Sequence, residues 1–467
     1  MKDNFSKAIL STSGFGLIKS IILFITNLIL IKFIDPAYFG LMALTISLLL
    51  FCQLLIEVGI NSFLVTRKKI DNNILYMINT VIIILILMVN LVLVFSGSVI
   101  VEFFGDDRLN IFIPYVIITN ILIGLSILPT SKLQMKHSFS RLAIVDFYGI
   151  IISSVVSVSL AIYGFILYAI IAKIFIPYIV KYILIRSEIK LKFKKPSKRF
   201  LNILMNYSRG IIGFNLVNYF SRNLDKIIIA KLLDTSVLGI YYFALQLVMV
   251  PLQLVSSNIA KISLAKMTKY KNNIDKYKEY LFINLKISTI VLFPFLLFMS
   301  TFSTQIEILN PKWSGISYIV PILSIAVLIQ SLGVQNANIF YHFKKNDRLF
   351  ILGSFAMIIY SLGYLIGAYY SLNYLVLGLI ISSLIVLSLQ FYFSYSIISL
   401  SYREFNHSLW SEFYIAVLYL SINIYIVNSF SLYIVVFIQI FVLVVYYLTV
   451  FNINKKDINK IKKVLIS

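Results

Sequence analysis

Five polar residues share one stripe of an otherwise apolar stretch: Asn215, Asn218, Arg222, Asp225 and Lys226. Spacings of three, four and seven put them on one face of a helix. An ionisable residue at bilayer depth costs roughly 3 to 10 kcal/mol, so such a stripe must line a water-accessible cleft or a protein contact. Two cations against one anion leave it net positive. The chemistry this suits is capture of an anionic group such as a diphosphate, because an arginine offers a bidentate fork to phosphate oxygens. Arg222 and Lys226 are the substrate-contact candidates, with Asp225 pinning one of them or sensing a coupling proton or sodium ion. A salt bridge between Arg222 and Asp225 that only fixes packing is the competing reading.

Further cations fall inside similar stretches. Lys19 lies about a third of the way into the first apolar run, on a face with Thr12, Gly16 and Thr26. Arg209 and Lys286 sit nearer the ends of their runs, where a long side chain snorkels to the membrane surface and can still collect an anionic head group. Lys173 and Lys181 read as peripheral snorkelling residues, and Glu57 and Asp146 as balancing charges for Arg67 and Arg141. Gln330 and Asn338 share a helical face, where interhelical hydrogen bonds explain them as readily as contacts to sugar. Three histidines and one cysteine, Cys52, are widely separated, so no metal, cofactor or intramolecular disulfide is expected. The absence of a Gly-rich loop ending in Gly-Lys-Ser/Thr argues against ATP as the direct energy source.

The elements that position these residues are legible from hydropathy. The 467 residues are 60% hydrophobic, with a mean hydropathy of +0.94. Apolar runs long enough to cross a bilayer as helices recur near 12–34, 38–58, 73–96, 111–130, 142–163, 165–186, 205–230, 237–258, 280–302, 316–340, 349–370, 374–398, 409–428 and 432–451. The links between them alternate. Those at 67–69, 132–141, 186–199, 261–278, 344–348 and 455–463 are loaded with Lys and Arg; those around Asp35, 102–108, Gly164, Asp234, 307–312, Leu372 and Ser429 are short and nearly bare. Cationic links stay on the cytoplasmic side. The chain is therefore expected to be an all-α membrane protein of about 14 transmembrane helices, with both termini cytoplasmic. Met1 to Lys7 is polar and the first run is long enough to span, so no cleavable signal is expected. The net charge of +23 follows from this sorting, with an unspecific attraction to anionic membrane lipids and no nucleic acid as partner.

An internal repeat organises the spans. Lys32, Asp35 and Gly40 recur as Lys231, Asp234 and Gly239, each offset by 199 residues, and Pro114, Arg141 and Leu142 recur as Pro321, Arg348 and Leu349, offset by 207. The pattern argues for duplication of a six-span unit, and an even-numbered unit enters the membrane on the same side both times. The expected division is an N-terminal six-helix lobe over 1–187, a basic cytoplasmic linker over 188–204, a second six-helix lobe over 205–400, and two accessory helices with a basic tail over 401–467. Two such bundles would enclose a central cleft.

The stretch Asp35-Pro36-Ala-Tyr-Phe39-Gly40, then Glu57-Val-Gly59-Ile-Asn-Ser, then Arg222-Asn-Leu-Asp225-Lys226 with Lys231, Gly239 and Pro251-Leu-Gln253, resembles polysaccharide exporters of the Wzx-like branch. These belong to the multidrug/oligosaccharidyl-lipid/polysaccharide exporter superfamily, and the colanic-acid-exporter-like subgroup is the most similar. The resemblance covers the first twelve spans. It implies a bacterial inner (plasma) membrane protein that flips an undecaprenyl-diphosphate-linked oligosaccharide from the cytoplasmic to the outer leaflet by ion-coupled alternating access, alongside polysaccharide polymerase and export machinery.

Two other functions compete with this one. A cation-coupled multidrug exporter of the same superfamily would favour acidic residues in its cleft, whereas this chain offers mainly cations. A membrane enzyme acting on lipid-linked sugars would need a sizeable outer loop carrying catalytic groups, and the bare links are too short, with Glu102, Asp106 and Asp107 their one acidic cluster.

Overall fold

The computed structural model describes residues 2–67, 71–189, 192–256, 259–260, 263, 267–400, 402–429 and 432–453. The described residues form α1 (Lys2–Leu30), α2 (Pro36–Glu57), α3 (Ile60–Val65), α4 (Asn72–Phe104), α5 (Leu109–Met135), α6 (Phe139–Ile162), α7 (Ile166–Ile185), α8 (Lys198–Leu232), α9 (Thr235–Leu254), α10 (Ile274–Leu309), α11 (Ile316–His342), α12 (Asn346–Tyr370), α13 (Leu372–Tyr395), α14 (Tyr402–Ser429) and α15 (Leu432–Ile453), joined by three single-turn 3₁₀ segments. Each of the fourteen expected spans coincides with one of these helices, and α3 is the addition. Ten are long and apolar enough to cross a membrane; α1, α14 and α15 carry shorter apolar stretches, Gly14–Leu30, Phe413–Tyr425 and Phe437–Thr449. The charges on α8 set it apart from the ten. The chain is an all-α, multi-pass membrane protein. Of the basic links, Lys68, Lys69, Lys190, Lys261, Lys266 and 454–467 lie outside the described residues.

Helix boundaries recur at the two sequence offsets. Pro36 opens α2 and Thr235 opens α9, 199 residues apart; α5 and α11 begin at Leu109 and Ile316 and end at Met135 and His342, all 207 apart. The turns that follow also match, with left-handed φ of 55° at His137 and 56° at Lys344. The helix bounds and the turn conformation thus recur at the spacing of the sequence pattern. The first turns of α2 and α9 cross at backbone distance. A Cβ on Gly40 would lie 1.9 Å from the Thr235 carbonyl oxygen, and one on Gly239 would lie 1.8 Å from that of Pro36. Only glycine permits this approach, and each contact is the other shifted by the repeat.

Packing divides the chain at residue 239 into two compact units. In the first, α6 and α7 form a tight hairpin, α1 packs along α6, and α5 touches α2, α4 and α7. Helix α8 also belongs here, lying against α2 and α3. The extended segment before it is strapped to α4: Asn79 donates to the Lys192 carbonyl at 3.1 Å and Thr80 to that of Lys194 at 3.0 Å. Ser197 then caps α8 by accepting from the Phe200 N–H at 3.2 Å, which satisfies one of the donors every helix start leaves open. The second unit is built around α10 and α11, with α14 packed on both. Glu307 closes their connection, its carboxylate accepting from the N–H groups of Gly315 (3.3 Å) and Ser317 (3.2 Å) at the start of α11, where a negative charge suits the helix dipole.

The bare link between α4 and α5 is held by Asp106. Arg108 donates to it at 2.7 and 2.8 Å and Thr235 at 2.9 Å. Burial pushes the Asp106 carboxyl up, but the bonds from Arg108 and Thr235 and the guanidinium charge outweigh it and hold the group below the usual carboxylate range. On the basic side, Glu188 gathers Arg141 at 2.5 Å and Lys136 at 3.0 Å, while its carbonyl accepts from Lys132 at 2.5 Å. Arg141 therefore balances Glu188, not Asp146 as expected, and Arg67 stacks 4.0 Å over the Phe63 ring rather than pairing with Glu57.

Candidate functional site

Helix α8 brings part of the expected stripe together and splits the rest. Tyr219 donates its hydroxyl to the Ser47 carbonyl on α2 at 3.0 Å, and Ser47 donates to the Asn223 side chain at 3.4 Å. Lys226 then donates to that same Asn223 oxygen at 3.0 Å and to the Arg222 carbonyl at 2.8 Å, and lies 3.8 Å from Asp225. Lys226 and Asp225 are 9% and 5% exposed. A charge this deep persists only when paired and hydrogen-bonded, and this one is both. Lys226 is a component of the α2–α8 joint.

Arg222 stands differently. It is exposed, as are Asn215 and Arg209 on the same helix, and the ion partner of Asp225 in this network is Lys226. Arg222 lies ten residues before Leu232, the end of α8, which at 1.5 Å per residue is about 15 Å from that end. That is roughly half the thickness of a hydrocarbon core. Were α8 to cross a membrane with Leu232 at its surface, an exposed arginine there would require water or an anion beside it.

The remaining candidates are dispersed. Lys19 is half-buried on α1, a helix that packs on α6 with Phe15 5.5 Å from Phe147; among the described residues no hydrogen bond or ion pair joins it to Arg222. Lys286 belongs to the second unit and is buried at 8% exposure, so it does not snorkel as expected. It sits on α10 among buried hydroxyls and amides, with Ser288 donating to Ser256 at 3.4 Å. Gln330 donates to Ser383 at 3.1 Å and Asn338 to the Ala260 carbonyl at 3.0 Å, both interhelical bonds of the structural kind.

Two cations set aside as peripheral turn inward. Lys173 donates to the Asn27 side chain on α1 and lies 5.3 Å from the Phe39 ring centre. Lys181 pairs with Asp146 across the α6–α7 hairpin at 3.4 Å. Lys181 also lines a polar hollow of about 90 Å³ inside the first unit, together with Gln53 and Glu57 of α2, Asn61 of α3, Ser126 and Thr130 of α5, and Tyr178. The hollow exists because α2 breaks where it does. Val58 and Gly59 both adopt left-handed backbone (φ 42° and 72°), a conformation a β-branched residue rarely takes. The break turns α3 so that Asn61 accepts from Ser131 on α5 at 2.8 Å. Strain of this kind concentrates at functional positions, and Glu57 and Asn61 flank it.

The sequence pattern of the family described as "Polysaccharide biosynthesis protein" matches residues 29–316. The chain is 22% identical over 219 residues to the lipopolysaccharide biosynthesis protein WzxC of Escherichia coli (strain K12), covering 45% of this chain and 44% of that one. It is 24% identical over 153 residues to the teichuronic acid biosynthesis protein TuaB of Bacillus subtilis (strain 168), covering 32% of each. The matched stretch thus spans less than half the length of either relative. The fold is similar to that of the lipid II flippase MurJ in an inward closed conformation, with a TM-score of 0.71, 15% identity and coverage of 96% of this chain and 98% of that one. It is also similar to an inward-facing MATE family multidrug resistance transporter, with a TM-score of 0.60, 12% identity and coverage of 82% and 94%.

Proposed function

Because the chain belongs to the polysaccharide biosynthesis protein family, we propose that it is a flippase. Its cargo is an undecaprenyl-diphosphate-linked oligosaccharide, moved from the cytoplasmic to the outer leaflet of a bacterial inner membrane by ion-coupled alternating access. The relatives are named for lipopolysaccharide and teichuronic acid biosynthesis and the structural neighbour for flipping a lipid-linked precursor, which supports a lipid-linked glycan as cargo. The observation that carries the reading is Arg222, exposed about 15 Å from the end of α8 and suited to hold a diphosphate bidentately. Arg209 serves as a collecting cation nearer the basic end of α8. Lys226 and Asp225 act by fixing α8 on α2, and Lys19 and Lys286 are further cations, one in each unit. The division into two six-helix repeats, with α14 and α15 outside them, belongs to the same proposal.

A drug exporter for cations would need an exposed carboxylate at the depth where α8 presents Arg222, so the glycan reading is favoured. The test is rescue of surface glycan in a flippase-deficient bacterial strain. Arg222→Ala should lower surface glycan at least tenfold while the protein inserts and purifies normally, and Arg222→Lys should recover part of it because a point charge replaces the fork. Full export by Arg222→Ala would overturn the proposal.

A further inference from the structure

A second hollow in the first unit, apolar and larger, has no role in the reading above. It holds about 280 Å³ and runs from the bare ends of α4 and α5 to the middle of α2, with walls that include Leu48, Phe51, Ile100, Phe103, Phe112 and Phe220. Its polar atoms are already engaged within the protein. Thr45 donates to the Leu41 carbonyl at 2.8 Å, Ser47 to that of Ala43 at 2.9 Å, and Tyr219 to that of Ser47 at 3.0 Å. With its hydroxyl protons already donated within the protein and the rest of its walls apolar, the cavity offers ordered water little, and an apolar cavity of this kind takes hydrocarbon. The space equals roughly nine water volumes, close to the bulk of two five-carbon isoprene units.

A cation stands on its rim. Lys231, exposed near the end of α8, donates to the Phe103 carbonyl at 2.7 Å and lies 4.7 Å from the Phe103 ring centre, and Phe103 is itself part of the wall. Among the described residues no carboxylate pairs with this ammonium; the neighbouring Arg108 is neutralised by Asp106 at 2.7 Å. A dry apolar slot with an unneutralised ammonium at its mouth, at the level where the helix leaves the hydrocarbon, matches one ligand chemistry: a hydrocarbon chain ending in phosphate.

We propose that this pocket seats the first isoprene units of a polyprenyl phosphate or diphosphate, with the anionic end at Lys231. The choice of a polyprenyl chain over the acyl chain of an ordinary phospholipid rests on the flippase reading and on the aromatic rings in the walls, which suit methyl-branched units. The positive-inside orientation places the seat in the outer half of the membrane, where it would hold the lipid after translocation.

The test is photolabelling of the purified full chain in nanodiscs with a diazirine-bearing polyprenyl phosphate, the label mapped to peptides and compared with a diazirine-bearing phosphatidylglycerol. The polyprenyl probe should label the segments around Ile100 and Phe112 and be competed by unlabelled polyprenyl phosphate. Leu48→Trp, which fills the slot, should cut labelling at least tenfold, and Lys231→Met about threefold to tenfold, the scale of one charge-assisted contact. Leu50→Trp, two residues on and turned to an exposed face of α2, should label as the parent does. If Leu48→Trp does not yield monodisperse protein, Ile100→Trp and the mapped label decide in its place. Equal labelling of these segments by phosphatidylglycerol, or labelling of them that survives Leu48→Trp or Ile100→Trp, overturns the proposal. The assay needs no glycan and no transport, so its failure leaves the export reading standing, and loss of export with intact labelling fails only the latter.

Discussion

The α6–α7 and α12–α13 hairpins, one in each compact unit, are closed by different balances of polar bonds and close backbone packing. The first is pinned by polar groups: Ser157 donates to the Ala169 carbonyl at 2.7 Å, and Lys181 reaches Asp146 at 3.4 Å. The second has polar bonds too, Ser382 donating to the Ile359 carbonyl at 3.2 Å and Tyr360 to Ser383 at 3.4 Å, and adds a backbone seam. A Cβ on Gly378 would lie 2.5 Å from the Gly363 carbonyl oxygen, and one on Gly363 would lie 2.9 Å from that of Gly378. Between helices in lipid the hydrophobic effect supplies little drive, and close packing through small residues or interhelical hydrogen bonds must supply it instead. Both hairpins draw on both, in different balance. The first also packs Gly149 close against Pro177, but among the described residues it alone places an ion pair beside a hollow. The second rests on its mutual glycine contact, and α12 turns Phe355, Leu362 and Ile366 outward.

The largest effect should come from the glycine seam. Gly378→Val puts a branched side chain where a carbonyl oxygen already stands, so α12 and α13 must separate along their length. Overpacking of a fixed contact costs about 1 to 3 kcal/mol and sometimes more, and here there is no flexible atom to yield. The yield of monodisperse protein should fall severalfold, with a lowered thermal midpoint in detergent. The equivalent alteration at a polar contact of the first hairpin should do much less. A parent-like midpoint for Gly378→Val would mean that the seam is incidental and the contrast between hairpins empty.

Lys181→Met and Asp146→Asn should act in the other direction, on export more than on fold. Both side chains are partly exposed, at 29% and 40%, and pairs of that kind contribute about 0 to 1 kcal/mol. Lys181→Met should nonetheless reduce surface glycan severalfold, because it removes the cation of the polar hollow. The charge-reversed double variant, Lys181→Asp with Asp146→Lys, separates the roles. Restored export would show the pair to be a strut, as interchangeable as the glycines are not. Failure to restore, with the protein still folded, would show that the ammonium is needed on α7.

The alternation of basic and bare links made the helices at the fourteen expected spans legible, and Gly40, Gly239, Pro114 and Pro321 marked offsets that the helix boundaries repeat. What stayed hidden was rotation about each helix axis. Depth alone suggested that Lys173, Lys181 and Lys286 reach for the surface, but a helix can turn a lysine of any depth inward once its neighbours offer partners. The hairpin turn held the missing information. Gly164 has φ of 83°, and Asp146 and Lys181 stand nearly equal numbers of residues to either side of it, as do Ser157 and Ala169. Antiparallel helices joined by a tight turn keep that register, so the pairing of Asp146 follows from counting. Helix α3 was illegible for another reason: Val58 and Gly59 continue an apolar run, and nothing in hydropathy announces that both take left-handed backbone. The split of the α8 stripe is of the same kind, since one helical face met α2 only over the part that carries Asn223 and Lys226.

The smallest effect should come from Ser157. Its hydroxyl donates to the Ala169 carbonyl across the two helices of the first hairpin at 2.7 Å, and it is fully buried. Removing it leaves the carbonyl its own helical bond, so Ser157→Ala should cost about 0.5 to 1.5 kcal/mol, at the low end because interhelical bonds in membranes average nearer 0.6 kcal/mol. Thermal unfolding in one detergent should show a shift of a few degrees or less, with surface glycan unchanged. A loss comparable to that of Gly378→Val would mean that polar closure is as indispensable as the glycine seam. The two hairpins would then differ in their chemistry and not in how much their closure matters.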